Sequence, residues 1–163
     1  MSAPTSIDLK QRLAPLRMMV MAMAGTMVVL GVIAQVILPE VELDATQLVI
    51  AVGLGLVGGV VALLTAGTFI RPLDQDEPNP LVAGLMRLQS ATFVQMALAD
   101  GSALVLFALG FVLPINAMAV LIGLLLAAAM TVLIAWPGRS RLRKARQLLE
   151  RNGARCPLDE QDI

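Results

Sequence analysis

The stretch LQSATFVQMALADGSALVLFALGFVLP, residues 88–114, decides how this sequence is interpreted. It is long enough to cross a bilayer, whose hydrocarbon core of about 30 Å needs roughly 20 helical residues. It also carries an acid, Asp100, near its middle. A carboxylate at membrane depth is costly and usually faces protein or a water-filled cavity. The stretch therefore predicts a membrane-spanning helix in which Asp100 is a candidate ion- or proton-binding residue.

Three further long apolar runs contain no charged residue, and with the first they predict spans at about 18–38, 47–70, 90–113 and 117–136. Lipid permits only helices or closed barrels, and these runs are far too long for strands. We therefore expect an all-α membrane protein, an antiparallel bundle of four transmembrane helices. An N-terminal segment, 1–17, precedes the transmembrane domain at 18–136, and a polar tail, 137–163, follows it.

The first run has a competing interpretation as a secretory signal peptide, because Ala22-Met23-Ala24 resembles a cleavage site. Such a peptide normally has about 7–15 apolar residues before the cut. Here only four apolar residues precede it, and the run continues well beyond it. We therefore favour a membrane anchor.

The tail predicts a basic amphipathic helix, with Leu142, Ala145, Leu148 and Leu149 on one face and basic side chains on the others. Next to a span, such a helix is expected to lie on the anionic surface of the bilayer. Trp136 at the end of the fourth span suits the headgroup region. The residues predicted to lie at the membrane surface are Trp136, Arg139, Arg141, Arg143, Lys144 and Arg146. The helix has no aromatic side chains to stack on bases, so the predicted partners are the bilayer and its anionic headgroups rather than nucleic acid.

The distribution of lysine and arginine predicts the orientation. The N-terminal segment carries three, the loop between the second and third spans two, and the tail seven, which accounts for all twelve. The other two loops, 39–46 and 114–116, carry none. The positive-inside rule then places both termini and the central loop in the cytoplasm.

Small residues recur every four positions in two of the spans. Such a stripe lets a neighbouring helix approach closely, which is how helices associate in lipid. The residues predicted to pack helices together are Gly58, Ala62, Ala66, Ala119, Gly123 and Ala127, with Gly101 beside the acid.

Asp100 has no basic residue in any span to pair with. Burial without a counter-ion favours the neutral form of a carboxylic acid, so we expect a protonated Asp100 that forms hydrogen bonds inside the bundle. The candidate partners are Thr26, Gln35, Thr65, Ser102 and Thr131.

Several classes of function are disfavoured by what the sequence lacks. It contains no histidine and no tyrosine, which removes most zinc sites, histidine-ligated haem and histidine-based triads. The single cysteine, Cys156, cannot form an internal disulfide. The glycine-rich run at 53–59 is not followed by the lysine of a phosphate-binding loop. We predict no enzyme activity, no cofactor and no metal site.

The segment ALADGSAL and the ending AWPGRSRLRKARQLL resemble a group of small, uncharacterised four-span bacterial membrane proteins. Members of that group usually have glutamate where Asp100 stands. The resemblance implies a four-span fold in a bacterial inner (cell) membrane, without implying an activity. A weaker resemblance is to subunit c of ATP synthases and the related V-type proteolipids. There a glycine-rich helix precedes a helix with one mid-membrane acid, which implies proton carriage by Asp100.

Two functional hypotheses stay open at this point. In one, the protein has a structural or accessory role in a homo-oligomer or a larger membrane complex, and Asp100 is hydrogen-bonding glue between helices. In the alternative, Asp100 carries a proton or ion during translocation. An intramembrane enzyme fits least well, because the acid has no second titratable group beside it in the spans.

Overall fold

The computed structural model describes residues 6–39 and 41–153. Within these ranges the chain contains five α-helices, one 3₁₀ turn and no strand. The helices are α1 (Ser6–Ile37), α2 (Ala45–Leu64), α3 (Pro80–Val112), α4 (Ala117–Ala135) and α5 (Arg139–Leu149), and the 3₁₀ turn is Glu150–Asn152. Four of them, α1 to α4, are apolar and long enough to cross a membrane, which confirms the predicted set of spanning helices.

The second and third helices have bounds that differ from the predicted spans. α2 ends at Leu64, where the Thr65 hydroxyl donates to the Val61 carbonyl at 2.8 Å and the chain leaves the helix. α3 already begins at Pro80, because proline is well tolerated in the first turn, where its missing N–H would have no helical acceptor. The loop between these helices is correspondingly placed at 65–79.

α4 is the central helix of the bundle. Its backbone lies close to those of α1, α2 and α3, whereas the backbones of α1 and α2 do not come close to each other among the described residues. It approaches α2 closely at two glycines: a Cβ added at Gly55 would lie 3.0 Å from the carbonyl carbon of Gly123. A Cβ added at Gly123 would lie 2.6 Å from the carbonyl oxygen of Ala51. The two backbones therefore touch, as expected where small residues meet in a membrane bundle.

Most of the small residues predicted to pack helices are inside the bundle. Those buried are Gly58, Ala62, Ala119, Gly123 and Ala127. Ala66 instead lies just beyond the end of α2, half-buried. Gly101 is exposed, and a Cβ added there would have nothing within 4 Å, so it packs against no other helix in the described part of the chain.

One end of the bundle, which we call the α5 end, is closed by α5 itself. Buried side chains from the start of α1, the 65–79 loop, the start of α3 and α5 form a single cluster there: Leu13, Leu16, Leu73, Leu88, Leu142, Ala145 and Leu149. The Leu73 amide donates to the Leu149 carbonyl at 2.8 Å. The apolar face of α5 is thus covered by protein, although the sequence suggested that it would lie on lipid.

The opposite end is closed by polar side chains at the starts of α2 and α4. The side-chain NH₂ group of Gln47 donates to the Pro114 carbonyl at 2.9 Å. The side-chain oxygen of Gln47 accepts from the backbone N–H of Asn116 at 3.1 Å. Asn116 in turn caps α4, since its side-chain oxygen accepts from the Met118 amide at 2.7 Å. These bonds tie the start of α2 to the start of α4.

Candidate functional site

Asp100 lies on the flank of α3, half-buried, and not in the interior as the sequence suggested. No carboxylate is buried in the bundle among the residues described. Three residues that share its face, at positions −7, −3 and +4, are exposed: Phe93, Ala97 and Leu104. Together with Gly101 we call them the outer face of α3. Asp100 forms the edge of this face, because α3 turns a different side toward α2 and α4.

The polar residues predicted to bond Asp100 do not reach it in the described part of the chain. Thr26, Thr65, Ser102 and Thr131 each donate to a backbone carbonyl of their own helix, at 2.8 to 3.0 Å. Gln35 is exposed near the end of α1. The carboxyl group of Asp100 therefore has no hydrogen-bond partner among the described residues, although it lies on a helix that can span a membrane.

A second cluster of polar side chains lies at the α5 end, where Arg141 of α5 contacts α3. Its Nη2 atom donates to Thr92 Oγ1 at 3.0 Å and also to Gln95 Oε1. Thr92 and Gln95 are almost fully buried, with 0% and 2% of their surfaces exposed. The sequence predicts that Arg141 lies at the membrane surface, which stays a prediction. The structure shows that α5 docks on the bundle and turns Arg141 toward these two side chains.

The charge of Arg141 is only partly compensated. Burial lowers the pKa of its guanidinium to about 10, since desolvation disfavours the charged form. Its Nη1 atom is also buried and has no hydrogen-bond partner. The ion pairs among the described residues are elsewhere: Arg87 with Glu77 at 3.8 Å, and Arg146 with Glu150 at 3.0 Å. Arg141 is thus a cation at the α5 end whose described partners are neutral.

A cavity of about 750 Å³ opens beside this arginine. Its polar side comes from α5 and α3, with Ser140, Arg141, Lys144 and Gln95. The remaining wall is mainly apolar and comes from α1, the end of α2 and the end of α4: Met21, Leu63, Ala66, Val132, Leu133, Ile134 and Trp136. A mostly apolar cavity with a few convergent polar groups is the usual form of a ligand site.

The remaining residues predicted at the surface are placed as follows. Trp136 ends α4, and the Arg17 guanidinium lies 5.8 Å from the centre of its ring, within range of a cation–π contact. Arg143 and Lys144 are exposed, whereas Arg146 is half-buried and pairs with Glu150. Arg139 begins α5, and its side chain lies outside what the structure describes.

Sequence reasoning missed Arg17, Thr92 and Gln95 as members of the α5 end. Thr92 and Gln95 are spaced three apart, so they share one face of α3. A pair of polar side chains on a helix face implies a polar partner when that face is buried. That spacing was the signal that could have indicated a partner such as Arg141.

No group of three or more metal-ligating side chains is found in the described ranges. Comparisons with family models, curated proteins and solved structures gave no match. The resemblances drawn from the sequence therefore stay predictions.

Proposed function

We propose that this protein is a non-enzymatic, multi-pass inner-membrane protein with a structural or accessory role, and that it self-associates through the outer face of α3. The observation that carries the proposal is the position of Asp100. It sits half-exposed near the middle of a helix long enough to span a membrane, beside a glycine with open space around it.

The chemistry of this face suits a second copy of the same chain. In hydrocarbon the neutral form of a carboxylic acid is favoured, and that form has both a donor and acceptors. A twofold axis through the face would set the Asp100 side chains of two copies opposite each other, so that each carboxyl donates to the other. Gly101 would let the two α3 helices approach closely. Hydrogen bonds between spans average only about 0.6 kcal/mol, so most of the stabilisation would come from helix packing.

Disulfide cross-linking tests this face. In a Cys156→Ser background, Ala97→Cys places a thiol on the outer face of α3, three residues from Asp100. Mild oxidation in membranes is expected to give a covalent dimer, because twofold-related thiols would face each other. The matched control is Ala22→Cys on α1, which is also exposed. Its neighbour Val20 packs with Met96, so the control lies at a similar depth. Equal cross-linking of the two variants, or none of Ala97→Cys, would refute the proposed interface.

Proton carriage by Asp100 is the second candidate, favoured by the exposure of part of its side chain on the outer face. Asp100→Asn separates the two functions, because asparagine keeps a donor and an acceptor but cannot titrate. Self-association predicts that Ala97→Cys still cross-links in the Asp100→Asn variant to within about twofold. It also predicts that proteoliposomes show no proton flux dependent on Asp100. Proton uptake that disappears in Asp100→Asn would assign the carrier role instead.

We also propose that the α5 end faces the cytoplasm, with both termini on that side. Its support is the concentration of basic residues in the tail and the absence of any in the loops of the opposite end. The exposed Arg143 and Lys144 would then meet anionic headgroups of the inner leaflet.

Cysteine labelling tests the orientation. In the Cys156→Ser background, an impermeant maleimide added to intact cells is expected to label Glu42→Cys and not Asp76→Cys. Both positions are exposed on loops, one at each end of the bundle. Permeabilised cells supply the control, in which both variants should react. The opposite pattern on intact cells would reverse the orientation.

A further inference from the structure

The Arg141 guanidinium has a donor that no described residue satisfies. Thr92 and Gln95 accept from Nη2, while Nη1 is buried without a partner. A buried, unpartnered donor on a charged group is costly, and native proteins normally satisfy such groups with protein, ordered water or a ligand. Thr92 and Gln95 are neutral, so what is missing is negative charge as well as an acceptor.

The cavity that Arg141 lines offers space for a negatively charged group and adds a second cation. Lys144 lies one helical turn along α5 from Arg141 and also lines the cavity. Ser140 also lines the cavity on this side. Phosphate oxygens accept several charge-assisted hydrogen bonds at once, and arginine is well suited to bind them. The polar side of the cavity is therefore complementary to a phosphate group.

The rest of the cavity wall is apolar, so it suits a ligand with a hydrocarbon chain better than a small soluble anion. Leu63 and Leu133, from α2 and α4, line the cavity and remain exposed over 58% and 76% of their surfaces. They belong to helices that can span a membrane, so this exposed surface faces the region where acyl chains lie. The volume of about 750 Å³ is within the range of roughly 300–1,000 Å³ typical of ligand sites.

We infer that this cavity is a binding site for one anionic phospholipid of the surrounding leaflet. Its phosphate lies between Arg141 and Lys144, and one acyl chain follows Leu63 and Leu133. This assignment rests on the proposed contact between the basic tail and anionic headgroups, and narrows it to a single site. It is independent of self-association through α3. Arg141 then links the bound lipid to α3 through Thr92 and Gln95.

The test uses the full-length protein in detergent, with phosphatidylglycerol as probe and phosphatidylcholine as its zwitterionic counterpart. Native mass spectrometry is expected to show one phosphatidylglycerol retained per chain, and no comparable retention of phosphatidylcholine. Lys144→Gln removes a cavity cation from an exposed position and should weaken phosphatidylglycerol retention roughly tenfold. Arg143→Gln is the matched control, because Arg143 is a neighbouring exposed cation that does not line the cavity, and it should change retention little.

Arg141→Met adds a variant that removes the central cation. It is expected to abolish selective retention of phosphatidylglycerol, and a melting curve of the lipid-free protein reports whether the bundle still folds. If the variant does not fold, Lys144→Gln against Arg143→Gln decides the question. Equal losses in those two variants, or equal retention of the two lipids, would overturn the site.

Competition by glycerol phosphate as effective as by short-chain phosphatidylglycerol would show that a free phosphate, and not a lipid, is the ligand. Because binding is measured in detergent, it does not depend on membrane orientation or on cross-linking of α3.

Discussion

Replacing Gly55 by valine is expected to prevent stable assembly of the bundle, whereas the same replacement at Gly53 leaves it intact. The two glycines lie two residues apart on α2. A Cβ at Gly55 would stand 3.0 Å from the carbonyl carbon of Gly123, which is backbone of the central helix and cannot move aside. A Cβ at Gly53 would have nothing within 4 Å.

The size of the effect follows from the kind of atom that is met. Overpacking a tight site costs about 1–3 kcal/mol even where side chains can adjust, and more is expected where backbone meets backbone. Valine has a somewhat better helix propensity than glycine, so Gly53→Val should be neutral or slightly stabilising. Size-exclusion chromatography after heating in detergent measures both variants against the parent. If Gly55→Val melts like Gly53→Val, α2 and α4 do not approach each other as described.

Replacing Leu149 by alanine is expected to release α5 from the bundle. The Leu149 side chain is fully buried in the cluster at the α5 end, with Leu13, Leu73 and Leu88 among its members. Removing a buried leucine side chain costs about 2–5 kcal/mol, which is a large fraction of what can hold an 11-residue helix to its support. An isolated helix of this length is marginal in water, so release should also unfold it.

Trypsin provides the measurement, because α5 is rich in arginine and is protected only while it stays folded and docked. Leu149→Ala should be cleaved within α5 many times faster than the parent, with the fragment of the four spanning helices left intact. Gln147→Ala is the control, since Gln147 is exposed on the same helix. Cleavage at the parental rate in Leu149→Ala would mean that the cluster does not hold α5. Release should also withdraw Arg141 from Thr92 and Gln95, so phosphatidylglycerol retention should fall in parallel.

The sequence by itself determined the class of the protein and the set of spanning helices. Four long runs with almost no charge can only be helices in lipid, because each backbone N–H and C=O must be satisfied within its own segment. Periodic small residues on α2 and α4 also indicated, from sequence alone, where helices meet, as Gly58, Ala62 and Gly123 illustrate. These features are local, so they can be read without knowing which helix is the neighbour.

Only the tertiary structure determined which faces of the helices are covered by other parts of the protein. Asp100 was expected inside, and it lies on the flank of α3, because α4 occupies the centre and sets which side of α3 turns inward. In a membrane both the interior and the surroundings are apolar, so hydrophobic periodicity cannot tell a protein-facing side from a lipid-facing one. The same ambiguity applied to α5, whose apolar face suits lipid and protein equally well. Arg141 reaches Thr92 only because that face docks on Leu13, Leu73 and Leu88. The position of the Arg141 side chain therefore depends on contacts between segments that are far apart in the chain.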